Sequence, residues 1–141
     1  MSGPGILVVE DNPSNAACLS AMLEAVGYDA VVATTAREAL DCLARERPSA
    51  VLLDLHLPDM HGGTILRKIR THPLWDEIPV IIITASDKFS DLERALACGA
   101  NGYVTKPVQP TRLLAKLAEF ARPWSTGAND ASVRGWTALP R

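Results

Sequence analysis

The sequence contains few residues of the kinds that mark zinc-binding, secreted or membrane-spanning proteins. Its 141 residues include three cysteines, Cys18, Cys42 and Cys98, at spacings that match no zinc or disulfide pattern. We expect each cysteine to be a small buried side chain within a helix. No apolar run approaches the roughly 20 residues that span a bilayer, and the start MSGPG lacks the parts of a signal peptide. We therefore expect a cytoplasmic protein with no membrane insertion.

The chain also lacks a strong excess of charge of either sign. Fourteen Lys and Arg residues stand against sixteen Asp and Glu residues, which gives a net charge of −2. No basic run is present of the kind that neutralises a phosphate backbone, so direct nucleic-acid binding is disfavoured. A chain of this length fits one domain, which buries about two-thirds of the surface of its unfolded chain.

What the sequence does contain is an alternation of short apolar runs with helical patterns. The strand candidates are residues 5–9, 28–33, 49–55, 78–84 and 101–105. Between and after them, apolar residues recur with the spacing of amphipathic helices. These residues are Leu19, Met22, Leu23 and Val26; Ala36, Ala39, Leu40 and Leu43; Ile65, Leu66 and Ile69; Leu92, Ala95 and Leu96; and Leu113, Leu117 and Phe120. The alternation predicts an α/β fold, a doubly wound five-stranded parallel sheet with five helices.

Local signals mark the ends of these elements and of the domain. Asn12 followed by Pro13 suits the cap and first position of a helix. Gly99 is expected to end the fourth helix and Pro123 the fifth. The pattern predicts one domain over residues 1–122. Residues 123–141 are rich in Gly, Ser and Asn without a clear period, so we expect a flexible tail or linker there.

Polar residues follow four of the five predicted strands. Glu10 and Asp11 follow the first, Asp54 ends the third, Thr84 ends the fourth, and Lys106 follows the fifth. If the strands have the flavodoxin-like order 2-1-3-4-5, these residues meet at the carboxyl edge of the sheet, where such folds bind ligands. The sequence therefore predicts a site at this edge.

Three carboxylates at this edge need a positive partner. Each close pair among Glu10, Asp11 and Asp54 would repel by about 4 kcal/mol at an effective dielectric near 20. Lys106 supplies one positive charge, and a hard divalent cation with oxygen ligands supplies two more. Mg²⁺ suits a site that uses one or two carboxylates and awaits phosphate oxygens. The acidic cluster therefore predicts a magnesium site.

Four motifs at the predicted strand ends give the chain a family resemblance. They are VVEDN at 8–12, LLDLHLPDMHG at 52–62, IIITA at 81–85 and YVTKP at 103–107. Together they make residues 5–121 resemble the receiver domain of bacterial two-component response regulators. The resemblance implies a phosphorylation-activated signalling switch, and not an enzyme with turnover.

The resemblance also implies roles for the acidic residues and their neighbour His56. Asp54 would be the phosphoacceptor, which takes a phosphoryl group from a histidine of a partner protein and holds it as an acyl phosphate. Asp11, Asp54 and the backbone carbonyl of His56 would bind Mg²⁺ directly. Glu10 would hold a metal-bound water.

Further roles concern the phosphoryl group and the change of shape. Thr84 and Lys106 would contact the phosphoryl oxygens. Thr84 would then move toward the phosphate while Tyr103 turns inward, which changes the face formed by helix four, strand five and helix five. In this family the peptide bond between Lys106 and Pro107 would be cis.

The implied partners are a sensor histidine kinase or histidine phosphotransfer protein and a downstream protein effector, and the resemblance allows a homodimer. Two alternatives stay open. One is an aspartyl-phosphate hydrolase of the haloacid dehalogenase type, which places its nucleophile on the first strand and an acid two residues later, where this chain has His56. The other is a receiver that binds proteins without being phosphorylated. The sequence does not separate a free-standing receiver from a piece of a longer protein.

Overall fold

Strands and helices alternate along the part of the chain that the computed structural model describes, residues 5–85 and 88–120. The elements are β1 (Gly5–Val9), α1 (Pro13–Glu24), β2 (Asp29–Ala33), α2 (Ala36–Glu46), β3 (Ala50–Asp54), α3 (Gly62–Thr71), β4 (Val80–Thr84), α4 (Phe89–Ala97), β5 (Gly102–Thr105) and α5 (Pro110–Phe120). Each predicted strand and helix is present. No helix within these ranges is long and apolar enough to cross a membrane.

The five strands form one parallel sheet in the order β2-β1-β3-β4-β5. Val9 pairs with Leu53, Asp54 pairs with Ile83, and Thr84 pairs with Thr105. This register places the carboxyl ends of β1, β3, β4 and β5 side by side. The predicted α/β fold and its flavodoxin-like strand order are confirmed.

Side chains that alternate along each strand build two cores, one on each face of the sheet. Leu7 and Leu53 point to the face covered by α2 and α3, where Ile65 and Ile69 pack. The opposite face is covered by α1 and α5. Its core includes Ile6, Val8, Leu19, Leu23, Leu52, Ile81, Leu113 and Leu117. Burial on both faces explains why the strand sequences are apolar almost without interruption.

The start of α1 agrees with the sequence, but its end does not. The Asn12 side chain accepts a hydrogen bond from the backbone N–H of Asn15, and Pro13 is the first helical residue. The apolar period suggests that the helix continues to Val26. It ends instead at Glu24, because the chain turns through Gly27 at a φ of +101°, and Val26 is 53% exposed.

Two other expectations about buried side chains need correction. Leu96, expected on the inner face of the fourth helix, is 43% exposed. Of the cysteines, only Cys42 is buried in a helix as expected: Cys18 is exposed on α1, and Cys98 is half-buried as the residue that caps the end of α4. The apolar spacings given above include none of the three cysteines, so spacing did not predict which of them would be buried. The predicted stop at Pro123 and the tail over 123–141 lie outside the described residues.

Candidate functional site

The ends of β1 and β3 bring three carboxylates together. Glu10 follows β1 directly, Asp11 is next in the chain, and Asp54 is the last residue of β3. One side-chain oxygen from each lies within 4.8 Å of the others. Glu10 is 1% exposed and Asp54 is 5% exposed, whereas Asp11 is exposed to solvent. Two of the three negative charges are therefore held largely away from water, where their mutual repulsion is strongest.

Lys106 supplies positive charge to this acidic cluster. Its Nζ lies 2.9 Å from Glu10 Oε1 and 3.4 Å from Asp54 Oδ2. The backbone N–H of Lys106 donates to the carbonyl of Thr84 at 2.8 Å, and the Lys106–Pro107 peptide bond is cis, as the resemblance implies. Burial alone would lower the pKa of Lys106, but the Glu10 and Asp54 carboxylates outweigh it and raise that pKa above its ordinary value. Lys106 is therefore a cation at neutral pH.

The remaining contacts of Glu10 and Asp54 show how far their carboxylate oxygens are already occupied by hydrogen-bond donors. Asp54 Oδ1 accepts a hydrogen bond from the backbone N–H of His56 at 3.1 Å, and Glu10 Oε2 accepts one from that of Asn12 at 3.2 Å. Within the described residues, the buried Glu10 Oε1 has the ion pair with Lys106 but no hydrogen bond of acceptable geometry. One ammonium thus faces three carboxylates. This oxygen-rich donor set fits a hard divalent cation such as Mg²⁺.

The other residues selected from the sequence have different positions. Thr84 is fully buried at the end of β4, next to the residue that pairs with Asp54. The His56 side chain is exposed, while its backbone lies against the Asp54 carboxylate. Tyr103 lies within β5, half-buried against the core on the α2 and α3 face. The structure therefore brings Glu10, Asp11, Asp54 and Lys106 together. The roles given to these four residues, like those given to Thr84, Tyr103 and the His56 carbonyl, stay predictions.

Gly62 contributes to the site, although the sequence motifs give it no role. Its backbone N–H donates to the carbonyl of Leu55 at 2.8 Å, and a Cβ here would lie 2.7 Å from the Asp54 carbonyl oxygen. His56, which follows Leu55, and His61, which precedes Gly62, form an isolated antiparallel bridge. The signal in the sequence is the glycine that ends the motif LLDLHLPDMHG, because glycine permits two backbone segments to approach closely. Gly62 allows the chain to return against the end of β3.

Comparison with known proteins identifies the family. A family model described as the response regulator receiver domain matches residues 6–118. The chain belongs to the response regulator receiver domain family. It is 38% identical over 117 residues to the response regulator PleD of Caulobacter vibrioides, which covers 83% of this chain and 26% of PleD. Several other curated relatives are also longer, and the chain covers 48% to 58% of their length.

Solved receiver structures have the same fold. A putative response regulator from Chloroflexus aurantiacus aligns with a TM-score of 0.81 and 30% identity, over 84% of this chain and 97% of that one. The receiver domain of the sensor histidine kinase PA1611 from Pseudomonas aeruginosa aligns with a TM-score of 0.77 and 34% identity, over the same shares. That structure has a magnesium ion coordinated in its active site cleft. Receiver domains are signalling switches that bind Mg²⁺ in an acidic pocket, and this chain has such an acidic cluster.

Proposed function

We propose that this receiver domain accepts a phosphoryl group on Asp54, with Mg²⁺ bound at the acidic cluster, and thereby changes between two signalling conformations. The observation that carries the proposal is the convergence of Asp54, Glu10, Asp11 and Lys106 at the carboxyl edge of the sheet. A structural aspartate would not require two further carboxylates and an ammonium around it. Phosphoryl transfer does require a nucleophile, a divalent cation and donors for the transferred charge.

Asp54 is the nucleophile in this proposal, because it is the carboxylate at the centre of the site. The His56 N–H at Oδ1 and the Lys106 ammonium at Oδ2 fix the plane of its carboxylate. An Asp54 oxygen forms the new bond to phosphorus while the bond from phosphorus to the donor imidazole nitrogen breaks. The imidazole leaves with the electron pair of the broken bond. A histidine kinase or a histidine phosphotransfer protein provides that imidazole.

The surrounding residues stabilise the negative charge that Asp54 gains with the phosphoryl group. Lys106 and Thr84 donate to the phosphoryl oxygens, which replaces the solvation that those oxygens lose in the site. Asp11, Asp54 and the His56 carbonyl would hold Mg²⁺, and Glu10 would hold one of its waters. When bound, Mg²⁺ neutralises charge on the phosphoryl oxygens and shields them from the carboxylates.

The change then passes to the surface through β4 and β5. Thr84 shifts toward the phosphoryl group, and Tyr103 fills the space behind it, which alters the face formed by α4, β5 and α5 for a protein effector. Tyr103 already packs against the core on one side of β5 and is only half-buried. A half-buried side chain is able to become more buried, which supports the proposed inward movement of Tyr103.

A cytoplasmic location, a homodimer and the absence of nucleic-acid contact stay predictions.

The proposal is tested by incubating the protein with acetyl phosphate and measuring its intact mass. We expect one phosphoryl group on the wild type with Mg²⁺ and none when the metal is chelated. Asp54→Asn, which keeps the shape of the side chain, should take up none. Asp41→Asn, on the exposed face of α2, is the matched control and should be phosphorylated like the wild type. Steady turnover of a phosphate ester would instead indicate a hydrolase, and a wild type that is never phosphorylated would indicate a protein-binding receiver.

A further inference from the structure

The Asp59 side chain connects the loop that follows β3 to the start of α2. This residue lies at the tip of the β3–α3 loop, residues 55–61. Its Oδ1 accepts a hydrogen bond from the backbone N–H of Ala36 at 2.8 Å, and its Oδ2 accepts one from that of Arg37 at 3.2 Å. These are the first two residues of α2, and they lie 23 and 22 positions away in sequence. One carboxylate thus binds two N–H groups that have no partner within the helix.

A helix start explains why a carboxylate occupies this position. The first N–H groups of a helix carry a partial positive charge, which favours an anionic acceptor. The pKa of Asp59 is held below its ordinary value, mainly by the hydrogen bond from Ala36, so the side chain is ionised at neutral pH. The third N–H of the helix start has another partner, because the Thr35 side chain accepts from Glu38 at 3.1 Å. Capping of α2 is therefore shared between a local residue and the distant Asp59.

The base of the β3–α3 loop is closed by contacts of its own. The N–H of Gly62 donates to the carbonyl of Leu55, and His56 pairs with His61 in an antiparallel bridge. Outside this closed base, the two hydrogen bonds of Asp59 attach the tip of the loop to α2. The loop is consequently held at both ends. His56 is part of the closed base, and its N–H donates to the Asp54 carboxylate.

We propose that Asp59 is a positioning residue for the metal site, which acts by fixing the β3–α3 loop against the start of α2. With the loop fixed, the backbone of His56 keeps one position relative to Asp54, and its carbonyl is presented to the cation. This inference rests on the proposed function, because it assumes that the acidic cluster binds Mg²⁺. Asp59 itself touches neither the cation nor the phosphoryl group, and it acts through the loop.

The experiment compares Mg²⁺ affinity among four proteins by following backbone amide NMR shifts in a Mg²⁺ titration. Asp59→Ala removes both hydrogen bonds, and we expect its Mg²⁺ dissociation constant to rise about tenfold, the lower end of the effect of outer contacts on metal affinity. Asp59→Asn keeps one oxygen acceptor and should lie between Asp59→Ala and the wild type. Thr35→Ala is the matched control, because it removes a cap from the same helix and leaves the loop attached.

A purely structural role for Asp59 predicts a different pattern. In that case Asp59→Ala and Thr35→Ala would both lower stability against urea, and both would leave Mg²⁺ affinity at the wild-type value. Equal Mg²⁺ affinity in Asp59→Ala and the wild type overturns the inference and leaves the proposed function intact. A wild type that binds no Mg²⁺ overturns the proposed function as well. If Asp59→Ala does not fold, the Mg²⁺ dissociation constants of Asp59→Asn and the wild type are compared instead. We expect the constant of Asp59→Asn to be about threefold higher, because this variant loses one acceptor, and equal constants would overturn the inference.

Discussion

Lys106 Nζ lies 2.9 Å from Glu10 Oε1, although β5 and β1 are separated by β4 and β3 in the sheet. The lysine side chain therefore extends past the ends of β4 and β3, and its Nζ also lies 3.4 Å from Asp54 Oδ2. This ion pair connects the edge of the domain at β5 with its centre. Among the residues that the structure describes, the site therefore has one cation for three carboxylates, and the proposed Mg²⁺ binding depends on this imbalance.

The first prediction concerns this ion pair. Lys106→Met leaves Glu10 and Asp54 as buried charges without their counterion, so we expect the free energy of unfolding to fall by about 3 kcal/mol. Phosphorylation by acetyl phosphate should slow by about 100-fold, as for loss of one donor to a developing charge. Urea denaturation and intact mass measure the two effects. Lys116→Met is the control, because the pair that Lys116 forms with Glu119 is long, at 3.9 Å, and partly exposed. Equal stabilities of the two variants would refute the assigned role of Lys106.

The second prediction separates repulsion from metal binding at Asp11. Without Mg²⁺, Asp11→Asn relieves repulsion from Glu10 and Asp54, so we expect this variant to be more stable than the wild type by about 1 kcal/mol. With Mg²⁺ the order should reverse, because the wild type gains stability from binding while the variant binds at least tenfold more weakly. Thermal unfolding with and without Mg²⁺ measures both. Parallel changes in the two proteins would argue against Asp11 as a ligand.

The third prediction concerns the close packing of Gly62. A Cβ there would lie 2.7 Å from both the Asp54 carbonyl oxygen and Leu55 Cα. Because backbone atoms cannot yield as a flexible side chain can, Gly62→Ala should lower the free energy of unfolding by about 1–3 kcal/mol. Gly5→Ala is the control, since nothing lies within 4 Å of a Cβ at that position. A Gly62→Ala protein as stable as the control would mean that the loop does not pack in this way.

The fourth prediction is a dependence of stability on pH. Folding holds the pKa of Asp59 below its ordinary value of 3.8, chiefly through the hydrogen bond from Ala36. Its contribution to stability is therefore complete above that ordinary value and is lost as the pH falls through the lower folded pKa. The stability difference between the wild type and Asp59→Asn should shrink between about pH 5 and about pH 2. Urea denaturation across this range measures it, and a difference that stays constant would contradict the prediction.

The sequence was informative wherever a pattern repeats locally. Apolar runs such as VIIIT and the helical spacing of Ile65, Leu66 and Ile69 predicted elements that the structure confirms. Polar residues at the strand ends predicted the meeting of Asp11, Asp54 and Lys106, because parallel strands bring their carboxyl ends to one edge. These predictions need only local periodicity and the geometry of a parallel sheet.

Sequence patterns failed for a contact between distant segments, for the end of one helix and for the exposure of one apolar side chain. The two hydrogen bonds of Asp59 to α2 join residues more than twenty positions apart, and no local spacing predicts them. Val26 continues the apolar period of α1, but the turn at Gly27 ends the helix before that position. Leu96 also fits a helical period and is nevertheless exposed, because the period identifies a face and not what covers it.

The most direct test of the account is to locate the phosphoryl group. The protein is treated with acetyl phosphate and Mg²⁺, reduced with borohydride, which converts an acyl phosphate into an alcohol, and digested for peptide mass spectrometry. The account predicts one modified residue, homoserine in place of Asp54, and none without Mg²⁺ or in Asp54→Asn. Modification at Asp11 or Glu10 instead of Asp54, or equal modification without the metal, would contradict it.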